Sequence, residues 1–214
     1  MALLDLYGKM SGVLIAGTIE EIKKITREAL NSGLQAREIL ENGLLPGMDV
    51  VGQRFKDYEM FIPEVIRSAN AMHAAMDIIR PLLSESDAAG VGTVVIGTVE
   101  GDLHDIGKNL VTMMLEGAGF MVVDLGIDVK PQTFVDAVKE HRPHILGMSA
   151  LLTTTMPKMG ETIRALVQAG VREQIEVMVG GAPVTGDFSV EIGADAYGSS
   201  AAAAVEKAKA FVKR

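Results

Sequence analysis

The chain of 214 residues contains no cysteine and no tryptophan, and only 4% of it is aromatic. Without cysteine there is no disulfide, thiolate-bound metal, iron–sulfur cluster or thiol nucleophile, and a reducing cytoplasm is the expected setting. Positive charge is in short supply too: 20 Lys and Arg stand against 28 Asp and Glu, a formal net charge of −8. Such a surface repels a phosphate backbone, so no nucleic acid is expected as a partner. No apolar run approaches the roughly 18 residues of a membrane span. The first ten residues carry Asp5 where a signal peptide wants basic residues, so neither a membrane partner nor a targeting segment is expected. What is abundant is small and aliphatic. Hydrophobic residues make up 48% of the chain, nearly all of them Ala, Val, Ile, Leu and Met, which suits packed helices and parallel strands.

Residues 1–84 show no strand-like alternation, and apolar positions such as Ile19, Ile22, Ile25 and Leu30 recur at helical spacing. Thr18 with Glu21 predicts a capping box, Gly33 a helix stop, and Pro63 the first turn of a helix reaching about Leu83. This half reads as a four-helix bundle with one helix interrupted near Pro46. The small, polar stretch SESDAAGVG (84–92) predicts a linker over 85–92. From residue 93 to 214 short β-branched runs alternate with amphipathic segments. Strands are predicted at 93–99, 120–126, 144–150, 176–181 and 194–198, with helices from about Ile106, Pro131 and Thr155, near Asp187, and up to Arg214. Strands that are apolar throughout are buried on both faces, so the predicted class is α + α/β. The second domain is then a Rossmann-like, flavodoxin-like, doubly wound sheet of five parallel strands. Ligands of such sheets sit outside the carboxyl ends of the strands, which directs attention to the loops after the first, third and fourth.

The loop after the first strand reads Glu100-Gly101-Asp102-Leu103-His104-Asp105-Ile106-Gly107-Lys108-Asn109. It has neither the G-x-G-x-x-G turn of a dinucleotide site nor the G-K-[ST] of a P-loop, and three carboxylates before a helix would repel phosphate. An imidazole and a cation suit it better. Asp102 and His104, two apart in an extended segment, point the same way, and a carboxylate beside a histidine fixes its tautomer and raises its basicity. The pair fits a metal ligand with its supporting carboxylate, a general base, or a buried ion pair. A zinc centre needs three or four protein ligands. His73, His141 and His144 offer none at ligand spacing and read as packing or surface residues. If His104 binds a metal, something other than protein fills most of the coordination sphere. The third strand ends in Ser149-Ala150-Leu151-Leu152-Thr153-Thr154-Thr155 and the fourth in Gly180-Gly181-Ala182-Pro183. Small residues at adjacent strand ends leave a slot.

Asp102-x-His104-x-x-Gly107, Ser149-x-Leu151 and Gly180-Gly181, in this order and on these loops, resemble the B12-binding module of cobalamin-dependent methyltransferases and mutases. The string GDLHDIGKN (101–109) is similar to that of cobalamin-dependent methionine synthase. VGQRF (51–55), FIPEV (61–65) and SANAM (68–72) resemble the helical cap of the same enzymes, so the likeness spans nearly the whole chain. The resemblance implies a cobalamin or related corrinoid with its nucleotide base buried in the slot and His104 as lower axial ligand of cobalt. It makes Asp102 the hydrogen-bond partner of His104 and continues the relay to Thr155, which stands where methionine synthase has serine. Gly101, Asp105, Ile106, Gly107, Ser149, Leu151, Thr153, Gly180 and Gly181 would line the cofactor, Tyr197 would close the far end, and Phe55, Ile62 and Val65 of the cap would cover the upper face. Without the family these three read as bundle core, since an apolar stripe at helical spacing usually is core.

The implied role is a methyl carrier whose cobalt alternates between methyl-Co(III), with His104 bound, and Co(I), with a hinge near residues 84–92 letting the cap move aside. No substrate barrel, folate module or reactivation domain fits into 214 residues. The resemblance therefore implies a shuttle, not a complete enzyme alone. Its partners would be a substrate-specific methyltransferase, a second methyltransferase passing the methyl to coenzyme M or tetrahydrofolate, and a reductive activation protein. Methylamines, methanol, betaines or aryl methyl ethers are the implied methyl sources. Two other readings are open. A cobalamin sensor needs a basic DNA-reading surface, whereas residues 1–87 hold 9 Lys and Arg against 13 Asp and Glu. The small subunit of a B12-dependent mutase shares the Asp102-x-His104-x-x-Gly107 half but lacks this helical cap.

Overall fold

A computed structural model describes residues 2–83 and 91–213. They fall into two compact units, one built on the helical half and one on the sheet. Residues 85–90 of the expected linker lie outside the described residues, and Gly92 already opens the first strand.

The helical unit comprises α1 (Ala2–Ala16), α2 (Ile19–Asn31), α3 (Ala36–Glu38), a π-helical segment (Ile39–Leu44), α4 (Leu45–Lys56) and α5 (Ile62–Ile79), which ends in a 3₁₀ turn, Arg80–Leu82. Because α3, the π segment and α4 run on without a break, this is a four-helix unit whose third member is interrupted just before Pro46. The cause is local. Proline has no N–H for the ladder, and the turn before it widens until Leu45 N–H reaches the Leu40 carbonyl, five residues back. Leu14, Ile22, Ile39, Leu44, Met72 and Ile79 are fully buried within the unit.

The helix ends correct one expectation. Thr18 is the residue before α2 and is extended, but its side chain makes no capping bond. That first turn is exposed, so water satisfies its free N–H groups. Reciprocal glutamates cap elsewhere: Gln35 N–H donates to Glu38 Oε2 at 2.9 Å and Phe61 N–H to Glu64 Oε2 at 2.8 Å. Gly33 does stop α2, at φ +93°, a left-handed conformation that side chains disfavour.

The sheet unit runs β1 (Gly92–Thr98), α6 (Ile106–Gly117), β2 (Phe120–Asp124), α7 (Pro131–His141), β3 (Ile145–Ser149), α8 (Pro157–Gln168), β4 (Glu176–Gly180), α9 (Gly186–Glu191), β5 (Ala196–Gly198) and α10 (Ala201–Val212). Every strand pair is parallel, in the order β2-β1-β3-β4-β5. This is the flavodoxin-like order, whose connections reverse direction between β1 and β3, so that a crevice opens at the carboxyl ends of those strands. Burial explains the sequence pattern. β3 and β4 are covered on both faces, and Phe134, Leu146 and Val177 are buried with no exposed surface. Register then levels the strand ends: Thr98 lies opposite Ser149, Ser149 opposite Gly180, and Gly180 opposite Gly198. Among the described residues no helix is long and apolar enough to cross a membrane.

Candidate functional site

Asp102 lies behind the crevice, in the loop after β1. It is fully buried, and its carboxylate accepts five hydrogen bonds. Oδ1 takes the His104 backbone N–H at 3.1 Å and His104 Nδ1 at 2.7 Å. Oδ2 takes Leu151 N–H at 2.8 Å, Leu152 N–H at 3.2 Å and the Thr155 hydroxyl at 2.7 Å. Burial by itself would push the Asp102 carboxyl up. The bonds from Thr155, Leu151 and His104 outweigh it and hold the group well below the usual carboxylate range. An acceptor-only carboxylate fixes the histidine tautomer: Nδ1 carries the proton, and Nε2 keeps its lone pair. The His104 side chain is half exposed, so that lone pair is available to a ligand.

Local sequence explains why these groups meet. The turn after β3 sends the Leu151 and Leu152 amides toward the neighbouring strand end, and Thr155 sits in that turn because α8 begins only at Pro157. Thr155 Oγ1 also lies 2.9 Å from the Leu152 carbonyl, so the hydroxyl is held from two sides. Beside the pair, at the strand ends, lies a cavity of about 590 Å³. Its wall includes His104, Asp105, Ile106, Gly107, Ser149, Leu151, Gly180, Gly181 and Tyr197, all of them candidates from the sequence, and Leu103, which was not one. Deeper in, it is apolar, with Ile96, Val111, Met148, Met178 and Ala204. The volume lies in the range of small-molecule sites. Gly181 lets two strand-end segments of the wall approach closely. It stands at φ +132°, and a Cβ there would fall 1.9 Å from the Ala150 carbonyl oxygen.

Asp102 and Thr155 stand behind this wall, not in it. Gly101 and Thr153 are not on it either: the Gly101 amide is turned to Asp128, and Thr153 lies on the exposed turn after β3. In the helical unit Val65 is fully buried, Phe55 partly buried, and Ile62 exposed. Sequence reasoning missed four residues. Asp128 Oδ1 accepts Gly101 N–H at 2.7 Å, and buried Thr98 Oγ1 donates to the His104 carbonyl at 2.9 Å. Lys108 is buried in an ion pair with Asp124 and donates to Asn109 Oδ1 at 2.7 Å, tying α6 to β2. A lysine in the first turn of a helix beside a strand ending in Asp was the signal for that pair, since buried lysines are paired. His144 is structural, as read from the sequence: its Nδ1 accepts Thr93 N–H at 3.1 Å.

Among the described residues no group of three or more His, Asp or Glu could hold a metal ion. The chain offers one oriented imidazole beside an apolar cavity, a donor set that fits a metal brought inside a macrocycle carrying most of its own ligands.

Comparison with known proteins agrees. A family model described as a B12 binding domain matches residues 92–206, and a second of the same description matches residues 8–80. The chain is 47% identical over 191 residues to trimethylamine corrinoid protein 1 of Methanosarcina acetivorans, covering 88% of each. It is 41% identical over 206 residues to dimethylamine corrinoid protein 1 of the same organism, covering 96% of each. Among solved structures, the methanol:cobalamin methyltransferase complex of Methanosarcina barkeri is similar with a TM-score of 0.89 and 32% identity, over 98% of this chain and 80% of that one.

Proposed function

This chain belongs to the corrinoid proteins that carry a B12 binding domain, and from that membership we propose that it is the methyl shuttle of a methylamine methyltransferase system. Its donor partner is a methyltransferase specific for a methylamine, with trimethylamine favoured by the higher identity to the trimethylamine corrinoid protein. Its acceptor partner passes the methyl to coenzyme M or tetrahydrofolate, and a reductive activation protein restores it. We assign it to the cytoplasm, because a chain without cysteine needs no oxidising compartment.

One observation carries the reading: Asp102, fixed by three amides and the Thr155 hydroxyl, holds a single imidazole at the mouth of an apolar cavity. When bound, the corrinoid supplies a cobalt that takes up a methyl group and gives it away. His104 Nε2 would be the protein group that holds this cobalt. Asp102 keeps the Nδ1 proton and makes Nε2 a better donor, while the Thr155 hydroxyl holds the far oxygen of Asp102. Release of the metal by His104 would be coupled to proton uptake by the Asp102–His104–Thr155 chain, so that protonation and ligation would be linked. Ser149, Leu151, Gly180, Gly181 and Tyr197, with Asp105, Ile106 and Gly107, line the cavity and would hold the cofactor's nucleotide tail. For the helical unit the family resemblance assigns Phe55, Ile62 and Val65 to the upper face, and the proposal includes that assignment.

Reconstitution with methylcobalamin tests the reading. The bound cofactor is expected to show the base-off absorption spectrum. His104→Ala is expected to weaken retention more than tenfold, and Asp102→Asn to shift the cobalt potential. A base-on spectrum, or spectra and potentials unchanged in both variants, would defeat it. Demethylation assays with trimethylamine, dimethylamine and methanol, each with its methyltransferase, then identify the donor.

A further inference from the structure

The loop bearing Asp102 and His104 is gripped by two residues outside the pair. Thr98 is buried at the last position of β1, and its hydroxyl donates to the His104 carbonyl at 2.9 Å. Its backbone cannot drift, because Thr98 N–H bonds the Gly126 carbonyl at 2.9 Å and its carbonyl accepts Val129 N–H at 2.9 Å. Asp128 lies between those two anchor points. Its Oδ1 accepts Gly101 N–H at 2.7 Å, and its own N–H donates to the Asp102 carbonyl at 3.1 Å. It does so from φ +54°, the left-handed region that few residues other than glycine, asparagine and aspartate enter. The main chain on both sides of the imidazole is thus fixed by groups that touch neither the ring nor the Asp102 carboxylate.

Resting on the reading of His104 as a ligand to a corrinoid metal, we propose that Thr98 and Asp128 are positioning residues that preset the Asp102–His104 loop for ligation. A histidine that must leave a metal and return needs a resting place near its bonded position. Asp102 orients the ring, while Thr98 and Asp128 set where the ring starts from. Without them the loop must be ordered by the cofactor at each binding event, and that ordering is subtracted from the strength of the bond.

Two substitutions isolate the claim. Thr98→Val removes the hydroxyl at nearly constant volume, and Thr98→Ser restores it. Asp128→Gly removes the acceptor at an exposed position whose φ glycine adopts without cost, so the fold is kept, and Asp128→Asn restores both acceptor and conformation. In the apo-protein, amide hydrogen exchange at Gly101 is expected to speed up roughly fivefold in Asp128→Gly, the equivalent of one lost hydrogen bond, and exchange at His104, whose N–H rests on Asp102 Oδ1, is expected to speed up in Thr98→Val as the loop loosens. The two restoring variants are expected to match wild type. In protein loaded with cob(II)alamin, electron paramagnetic resonance reads the histidine-ligated share from its nitrogen splitting. That share is expected to fall several-fold in Thr98→Val and Asp128→Gly, while total bound cobalamin stays within about twofold of wild type. Wild-type exchange and a wild-type ligated share in both variants overturn the proposal, as does failure of Thr98→Ser and Asp128→Asn to restore them. If the wild-type protein binds no cobalamin, the reading of its function fails, and the exchange rates still decide whether Thr98 and Asp128 hold the loop.

Discussion

The loop after β1 and the turn before α5 both end in exposed apolar side chains: Leu103 and Ile106 are 67% and 83% exposed, Tyr58 and Phe61 85% and 66%. Behind Leu103 lies the Asp102 network, which reaches three amides and a hydroxyl besides the imidazole. Behind Phe61 there is a helix cap from Glu64 and a turn closed by Glu59 and Met60 N–H on the Arg54 carbonyl, at 2.8 and 3.1 Å. The first region holds a nitrogen lone pair in place, which takes many directional bonds. The second presents apolar surface, for which an ordinary turn suffices. Of these two regions, the directional bonds are concentrated where an atom must be aimed.

The contrast can be broken hardest at Gly181. Gly181→Ala is expected to cost about 4 kcal/mol, because strain and overlap with Ala150 add at a position that cannot relax. A urea titration showing less than about 1 kcal/mol would mean that the strand ends give way. Asp102→Ala comes next, at about 3 kcal/mol, since it leaves the Leu151 and Leu152 amides and the Thr155 hydroxyl without their acceptor. Calorimetric unfolding checks it.

Acid sharpens the same comparison. The Asp102 carboxyl is depressed in the folded state, so its stabilisation is present above the unfolded value near 4 and is lost as pH falls toward the folded one. The stability gap between wild type and Asp102→Ala is therefore expected to narrow below about pH 4, whereas the gap between wild type and Phe61→Ala stays flat. Thr155→Val should cost about 1 kcal/mol, and Thr155→Ser almost nothing, because either hydroxyl can donate to Asp102. The smallest effect belongs to the turn: Phe61→Ala is expected to move apo-protein stability by less than about 0.5 kcal/mol, read from the same unfolding curves.

Much of this was legible in the residue order. Apolar runs marked the five strands, Pro46 marked the interrupted helix, and Asp102 with His104 marked a hydrogen-bonded pair beside the cavity. The contacts that complete the site join residues far apart in sequence, such as Asp102 with Leu151 and Gly101 with Asp128, and no spacing rule reaches that far. Asp128 did carry a signal, an aspartate two residues after Gly126 in the turn beyond β2, a place where left-handed backbone is common. Thr18 shows the opposite failure. Its pattern with Glu21 was correct for a capping box, but water at an exposed turn competes equally well, so pattern alone did not decide.

Because Thr98, Ser149, Gly180 and Gly198 stand shoulder to shoulder across four strands, the bench on which a cofactor would rest is set by peptide units more than by side chains. Point substitutions can repaint that bench without tilting it. A slip of β3 by one residue against β1 would carry the amides that grip Asp102 along by about 3.3 Å and swap which face every side chain meets. Strand alignment is thus the gauge block of this chemistry, and shuffling a single hydrogen-bond rung would detune the ligand before it emptied the cavity.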